Sequence, residues 1–188
     1  MRIILASTSP RRKKLLSKTG LVFETIESGY EEDMTLPMNP EELVEHLSFN
    51  KAKAVFENNR DALVIAADTF IVFNGKYLGK PKNEEESRKM LELLSGKEHH
   101  VVTGVTIISK DKTVSFNSKA KVYIKKLSPE TINSYIKTGE PLDRAGAYAV
   151  QGRGAVLIEK IEGDFFGVIG LPISRLSEEL KSFGINVL

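Results

Sequence analysis

The chain of 188 residues has no cysteine, one glutamine and three histidines. Without cysteine it cannot form disulfides, thiolate zinc sites or iron–sulfur clusters, and it cannot use a cysteine nucleophile. The histidines are His46, His99 and His100, so a three-histidine metal site would need all of them. We interpret the adjacent pair His99-His100, which leads into a predicted strand, as structural.

Long apolar runs are also missing. No stretch approaches the ~18 apolar residues that a membrane-spanning helix needs. The apolar run at the start of the chain turns polar at Ser7 and is too short for the core of a signal peptide. We therefore expect a soluble, cytoplasmic protein with no membrane partner. The net charge of +2, from 27 Lys and Arg against 25 Asp and Glu, is too balanced to indicate a nucleic-acid partner.

The local signals for secondary structure alternate between strands and helices. Helices are predicted to begin at Ser9-Pro10, Asn39-Pro40 and Ser128-Pro129, where a capping side chain precedes a proline. The apolar run 63–67 predicts a strand that is buried on both faces and ends at Asp68-Thr69. Further elements are predicted as strands at 2–6, 21–27, 70–73, 76–78, 101–108, 113–124 and 155–161, helices at 84–94 and 172–183, and an irregular stretch at 163–170.

This alternation predicts an α/β fold for a single domain over residues 1–188. Asn74-Gly75 between two apolar segments is a strong hairpin signal. A second hairpin is predicted around residues 110–112. Because hairpins join antiparallel strands, the expected sheet is mixed and twisted, with helices flanking it.

Residues 7–12, with the sequence STSPRR, are a candidate site for an anion. They connect the first predicted strand to a helix N-terminus, whose free N–H groups and dipole favour negative charge. Arg11 and Arg12 add guanidinium groups that can bind phosphate through two hydrogen bonds. The alternative is a solvated basic face on a surface helix.

Acidic and basic residues elsewhere are candidates for the same site. Asp68 follows a buried strand, and ligands of open α/β sheets bind at the carboxyl ends of strands; the alternative is a turn-forming aspartate. Lys80, just past the first hairpin, could reach the same sheet edge. The acidic loop 31–33 could offer an oxygen ligand to a metal. Gln151 is the only glutamine, and its amide can both donate to and accept from a nucleobase edge.

Seven segments, in their order along the chain, resemble the Maf family of nucleoside triphosphate pyrophosphatases. They are residues 4–12, 66–69, 79–81, 94–96, 102–105, 139–148 and 170–172. Together they extend over nearly the whole chain, and several ordered segments are far more specific than any one of them. The sequence AYAVQG at 147–152 resembles the subgroup that acts on dTTP and UTP. The 7-methyl-GTP subgroup typically carries Ser-Glu-Gly around the position of Gln151.

The resemblance implies a Maf/ITPase-like architecture and a set of functional residues. Its activity would be hydrolysis of a nucleoside triphosphate to the monophosphate and pyrophosphate, with Mg²⁺ or Mn²⁺. Asp68 matches the catalytic base, and Glu32 with Asp68 would bind the metal; Glu31 is the neighbouring candidate. The residues that match substrate-binding positions are Ser7, Arg11, Arg12, Lys51 (or its neighbour Lys53), Thr69, Lys80 and Gln151, of which Arg11, Thr69 and Gln151 match positions tied to base selectivity.

Two alternative functions stay open at this point. The same fold could act on a modified or purine nucleotide such as 7-methyl-GTP. Alternatively, the chain could be a non-enzymatic regulator of septum formation, with the basic residues 11–14 as its binding surface. Family members are often dimers, which makes a homodimer a further expectation.

Overall fold

The computed structural model describes all residues, Met1–Leu188, as seven strands, six α-helices and three short 3₁₀ segments. The strands are β1 (Arg2–Leu5), β2 (Glu24–Thr25), β3 (Ala62–Phe73), β4 (Lys76–Leu78), β5 (Glu98–Ile108), β6 (Thr113–Ile124) and β7 (Ile158–Glu162). The helices are α1 (Pro10–Ser17), α2 (Pro40–Phe56), α3 (Glu84–Leu94), α4 (Pro129–Ile136), α5 (Phe165–Ile169) and α6 (Ile173–Lys181). The 3₁₀ segments are Glu140–Asp143, Ala145–Ala147 and Arg153–Leu157. None of the helices is long and apolar enough to cross a membrane.

All seven strands belong to one sheet, in the order β2-β1-β3-β5-β6-β7, with β4 paired to β3. β1 runs parallel to β2 and β3, whereas β4 is antiparallel to β3 and β7 is antiparallel to β6. The prediction of an α/β fold with a mixed sheet is therefore confirmed.

The chain forms two compact units. The first unit comprises Met1–Thr69, Val102–Ser118 and Phe166–Leu188. The second unit comprises Phe70–Val101 and Lys119–Phe165. The long strands β3, β5 and β6 each contribute residues to both units.

The predicted helix starts and the first hairpin turn are confirmed. Asn39 forms a full capping box with Glu42, and α1, α2 and α4 each begin at a proline. Ser9 occupies the cap position of α1, but its side chain makes no capping hydrogen bond. Asn74 and Gly75 both have positive φ, +48° and +74°, as a two-residue hairpin turn requires.

Several predicted boundaries are wrong. The strand expected to end at Asp68 continues to Phe73, so Asp68 lies inside β3 and not at its end. Local signals suggested an end because a charged residue followed an apolar run, but pairing within the sheet carries the strand onward. The strand expected at 21–27 is reduced to Glu24–Thr25, an edge strand that pairs only with Ile4 and Leu5. The stretch 163–170 contains α5, a helix of five residues that is too short to show a helical period in sequence.

The two faces of β3 pack against different helices in the first unit. Leu63, Ile65 and Ala67 belong to a core cluster that includes leucines of α1 and α6. Val64 and Ala66 belong to a second cluster with residues of α2. Since side chains alternate along a strand, this pattern directs the next residues, 68 and 69, toward different helices.

Candidate active site

Asp68 lies on the α2 face of β3, where it contacts Lys51. Its side chain is 7% exposed, and the Lys51 ammonium donates a hydrogen bond to its Oδ1. The same ammonium contacts Oε1 of Glu32 at 2.6 Å. Lys51 therefore links the two carboxylates that the resemblance assigns to the metal. Of each pair of neighbouring candidates, Glu32 is thus the glutamate that contacts Lys51 and Lys51 is the lysine that contacts Asp68, whereas Lys53 is exposed.

The close packing of α2 on β5 brings Lys51 to this position. A Cβ on Gly104 of β5 would lie 2.7 Å from the backbone nitrogen of Glu45, so only glycine fits beneath the helix. Further along α2, the buried hydroxyl of Ser48 bonds to that of Thr106 at 2.8 Å. Ser48 and Lys51 are three residues apart and share a helix face. The ammonium is thus held by a helix that is itself fixed to the sheet.

Thr69 lies on the opposite face of β3, where it meets Arg12 of α1. The guanidinium of Arg12 donates from Nη2 to the Thr69 hydroxyl at 3.1 Å and from Nε to the carbonyl of Gly170 at 3.0 Å. A longer contact of 3.5 Å reaches the Ser7 hydroxyl, which also accepts from the backbone N–H of Ser9 at 3.2 Å. The candidate phosphate ligands Ser7 and Arg12 are thereby brought together beside Thr69.

Hydrogen bonding decides the direction of the Thr69 hydroxyl. The Thr103 hydroxyl donates to the carbonyl of Gly167 at 2.8 Å, so it can only accept from Thr69, which lies 2.9 Å away. Thr69 in turn accepts from Arg12. Its single proton is committed to Thr103, and the hydroxyl can offer a ligand only its remaining lone pair.

Sequence reasoning missed Thr103 and Gly170, the residues that support Arg12 and Thr69 through hydrogen bonds. Thr103 and Gly170 both fall in segments that resemble the family, but neither type of residue signals a role by itself. Gly170 has a φ of +122°, a backbone conformation that residues with a side chain rarely adopt. The carbonyl of this same residue accepts the hydrogen bond from Arg12. Only the fold shows that Arg12 depends on them.

One edge of β3 is unpaired beside Asp68 and Thr69. β1 pairs with β3 only from Ala62 to Ile65, and β4 pairs only from Ile71 to Phe73. Residues 66–70 are paired with neither strand. Burial raises the pKa of Asp68 above its ordinary value, and the positive charges of Lys51 and Arg12 only partly offset this effect. The side chains on both faces thus share one electrostatic environment.

One oxygen of Asp68, Oδ2, is buried and has no hydrogen-bond partner. A buried unpaired carboxylate oxygen is costly and is a strong acceptor for a ligand proton or a cation. No three acidic or histidine side chains cluster as a metal site. However, Mg²⁺ is usually held by one or two carboxylates together with substrate phosphates. The donor set of Glu32 and Asp68, which already surrounds one cation, fits such an ion.

Lys80 and Gln151, the remaining predicted site residues, lie in the second unit. Lys80 is exposed, and its ammonium contacts Oδ1 of Asp143 at 2.6 Å. Gln151 is also exposed and lies in a loop just before the 3₁₀ segment Arg153–Leu157. Arg11, in the first unit, is partly buried beside Arg12 at the start of α1.

Comparison of the whole chain with known proteins relates it to nucleotide enzymes. It is 50% identical over 186 residues to proteins named dTTP/UTP pyrophosphatase from Bacillus cereus and Bacillus anthracis, covering 99% of this chain and 97% of each relative. Its fold is similar to that of the Ham1 protein of Staphylococcus aureus, with a TM-score of 0.55, 15% identity and coverage of 97% and 99% of the two chains. A HAM1 protein from Coxiella burnetii matches with a TM-score of 0.52, 14% identity and the same coverage.

These structural similarities confirm the expected Maf/ITPase-like architecture. The family model described as "Maf-like protein" matches residues 2–183, which is almost the entire chain. This match agrees with the seven segments that resemble the family in sequence. The chain therefore belongs to the Maf family.

Proposed function

We propose that this chain is a metal-dependent nucleoside triphosphate pyrophosphatase that hydrolyses dTTP and UTP. The products are the nucleoside monophosphate and pyrophosphate, and the cellular role is removal of selected nucleotides from the pool. The observation that carries the proposal is the buried Asp68 carboxylate, with one unpartnered oxygen, among the cationic groups Lys51 and Arg12. The names of the 50%-identical relatives support the choice of reaction and substrate.

Phosphate binding is assigned to residues of the first unit. A nucleoside triphosphate carries about four negative charges near neutral pH, so the site needs cations to offset them. Arg12 offers a guanidinium whose position is set by Thr69 and Gly170. Ser7 offers a hydroxyl beside the N-terminus of α1, where backbone N–H groups favour an anion. From the second unit, Lys80 is assigned to phosphate on the family resemblance.

Catalysis is assigned to Asp68. Water adds across the anhydride between the α- and β-phosphates, the P–O bond breaks, and one proton leaves the water. Oδ2 of Asp68 is the acceptor for that proton because it has no other partner, and burial strengthens its basicity. Glu32 and Asp68 would hold Mg²⁺ or Mn²⁺, which supplies neutralisation of charge on the phosphate oxygens.

Base selectivity is assigned to Gln151, together with Arg11 and Thr69, on the family resemblance. The amide of Gln151 can accept from N3–H and donate to O4 of uracil or thymine. Cytosine presents the opposite pattern, so a flipped amide could accept it as well. A second contact is needed to exclude cytosine. Thr69 can serve only as an acceptor, since its proton is bound to Thr103.

A nucleotide panel tests the proposal. Pyrophosphate release is measured for dTTP, UTP, CTP, ATP, GTP and 7-methyl-GTP, with Mg²⁺ and with excess chelator. We expect dTTP and UTP to have the highest kcat/KM and all activity to stop with chelator. A purine nucleotide as the best substrate would overturn the assignment of Gln151, and release of single phosphates in place of pyrophosphate would overturn the reaction.

A further inference from the structure

The side chain of Glu140, in the second unit, gathers hydrogen bonds from the loop that carries Gln151. Its Oε2 accepts from the backbone N–H of Gly154 at 2.8 Å, and its Oε1 accepts from the backbone N–H of Arg153 at 3.2 Å. The hydroxyl of Tyr135 donates to Oε2 at 2.8 Å. One carboxylate thus binds three donors, two of which belong to the main chain just after Gln151.

Tyr135 binds the main chain on the N-terminal side of Gln151. While its hydroxyl donates to Glu140, it accepts from the backbone N–H of Ala149 at 3.1 Å. The ring is buried on α4, and the hydroxyl is its polar end. Ala149 and Gly154 are therefore tied to the same pair of side chains, and Gln151 lies between the two tied positions with its side chain exposed.

Two glycines in the loop make this approach possible. Gly152 has a φ of +151°, and a Cβ there would overlap the Glu140 carboxylate. A Cβ on Gly154 would lie 2.5 Å from the Tyr135 hydroxyl and 2.7 Å from the carbonyl of Ala149. Because both positions are glycine, the side chains of Glu140 and Tyr135 can pack directly against the main chain of the loop.

The hydrogen bonds to Glu140 favour its ionised form. Burial by itself raises the pKa of Glu140, but the hydrogen bonds from Gly154, Tyr135 and Arg153 outweigh it, and the pKa lies below its ordinary value. Hydrogen bonds to an ionised acceptor are about twice as strong as neutral ones. The carboxylate is accordingly a firm attachment point for the loop.

We propose that Glu140 and Tyr135 are positioning residues for base selection, which act by holding the main chain on both sides of Gln151. The inference rests on the proposed function, in which the Gln151 amide recognises the base. An amide can discriminate between bases only if its two hydrogen-bonding atoms are held in place. A misplacement of about 1 Å can cost roughly 100-fold in rate. Together with the second contact that excludes cytosine, the supporting pair therefore sets how well UTP is distinguished from CTP.

Two conservative variants test the pair. In Glu140→Gln one carboxylate oxygen becomes an NH₂ group. Because each oxygen accepts from a main-chain N–H, either orientation of the amide sets its NH₂ group against at least one N–H donor. Tyr135→Phe removes only the hydroxyl and keeps the buried ring. We expect the ratio of kcat/KM for UTP over CTP to fall roughly tenfold in each variant, mainly through a higher KM for UTP.

The chain offers a matched control pair in the same unit. The hydroxyl of Tyr123 also donates to a glutamate, Oε2 of Glu162, at 2.8 Å, but this contact joins β6 to β7. Tyr123→Phe and Glu162→Gln remove the same kind of hydrogen bond and should leave the UTP/CTP ratio at the wild-type value. An equal fall in these controls would contradict a specific role for Glu140.

A double-mutant cycle separates positioning from general stability. If Glu140 acts through Gln151, the variant Glu140→Gln should not change the UTP/CTP ratio further in a Gln151→Ala background. Additive effects, or an unchanged ratio with a lower melting temperature, would overturn the inference while leaving the proposed function intact. A wild-type protein that releases pyrophosphate from no nucleotide would overturn the proposed function, and the inference with it.

Discussion

Asp68 and Thr69 are consecutive in β3 yet contact different helices, Asp68 reaching Lys51 of α2 and Thr69 reaching Arg12 of α1. The alternation of side chains along a strand makes this unavoidable. β1 pairs with β3 only as far as Ile65, so it leaves the edge of β3 unpaired beside both residues, and the positive charges of Lys51 and Arg12 both act on the Asp68 carboxylate. Two consecutive residues of β3 thus supply the proposed catalytic carboxylate, that of Asp68, and the hydroxyl that binds the proposed phosphate ligand Arg12.

Loss of the Asp68 charge should nearly abolish activity. Asp68→Asn keeps the shape of the side chain but removes the proton acceptor, which typically contributes 10²–10⁴-fold to rate. We expect kcat for dTTP to fall at least about 100-fold. Asp61→Asn, which changes an exposed aspartate, is the matched control and should leave kcat unchanged. Full activity in Asp68→Asn would remove the assignment of the base.

Replacing Lys51 by methionine should destabilise the fold. The side chains of Lys51 and Asp68 are 10% and 7% exposed, so Lys51→Met leaves a buried carboxylate without this partner. Breaking a buried ion pair on one side costs roughly 3–5 kcal/mol. Urea unfolding should show a loss of about 3 kcal/mol, partly recovered in Lys51→Met/Asp68→Asn. Lys53→Met, at an exposed position of the same helix, should be nearly neutral, and equal losses would show that the ion pair is not the cause.

Weakening the metal site should change the metal requirement. Glu32→Gln removes one of the two proposed carboxylate ligands, whereas Glu31→Gln changes an exposed neighbour. We expect the Mg²⁺ concentration for half-maximal pyrophosphate release to rise at least about tenfold only in Glu32→Gln. Titration of Mg²⁺ into protein freed of metal by chelator measures this. The same shift in both variants would reflect the general loss of negative charge.

Thr103→Val should weaken nucleotide binding through Arg12. Valine keeps the shape of threonine but leaves the Gly167 carbonyl without its donor and the Thr69 hydroxyl without its acceptor. Each unpaired buried group costs about 1–3 kcal/mol, and a disordered Arg12 should raise KM for dTTP roughly tenfold. Steady-state kinetics and thermal unfolding are measured together, with the exposed Thr113→Val as control. A lower melting temperature with unchanged KM would limit Thr103 to a structural role.

His99 should make the fold sensitive to mild acid. Burial, and to a smaller extent the charge of His100, lowers the pKa of His99 to about 4 from 6.5. Between these values the unfolded chain binds a proton that the folded protein does not, so stability falls as pH decreases from about 6.5 to about 4. The loss amounts to about 3 kcal/mol.

The comparison of wild type with His99→Gln tests whether His99 causes the loss of stability in acid. Glutamine can still form a hydrogen bond with Tyr148, which lies 2.7 Å from His99 Nε2, but it does not titrate. Urea unfolding at several pH values should give a shallower dependence in the variant. Identical slopes would show that other groups cause the acid sensitivity.

The sequence alone determined the features that depend on neighbouring residues. Caps and prolines specified where α1, α2 and α4 begin, and Asn74-Gly75 specified a turn, because these effects operate within a few residues. The resemblance of seven segments indicated the family and the candidate residues. These inferences needed no knowledge of how distant parts of the chain meet.

Only the tertiary structure decided how those residues are combined. It showed that Asp68 lies within a continuous strand, that Lys51 contacts it while Lys53 is exposed, and that Thr103 holds the hydroxyl of Thr69. It also revealed the carboxylate of Glu140 beneath the loop of Gln151. Such pairings arise from long-range packing, where strand pairing and the fit of a helix on a sheet override local signals, so no short stretch of sequence encodes them.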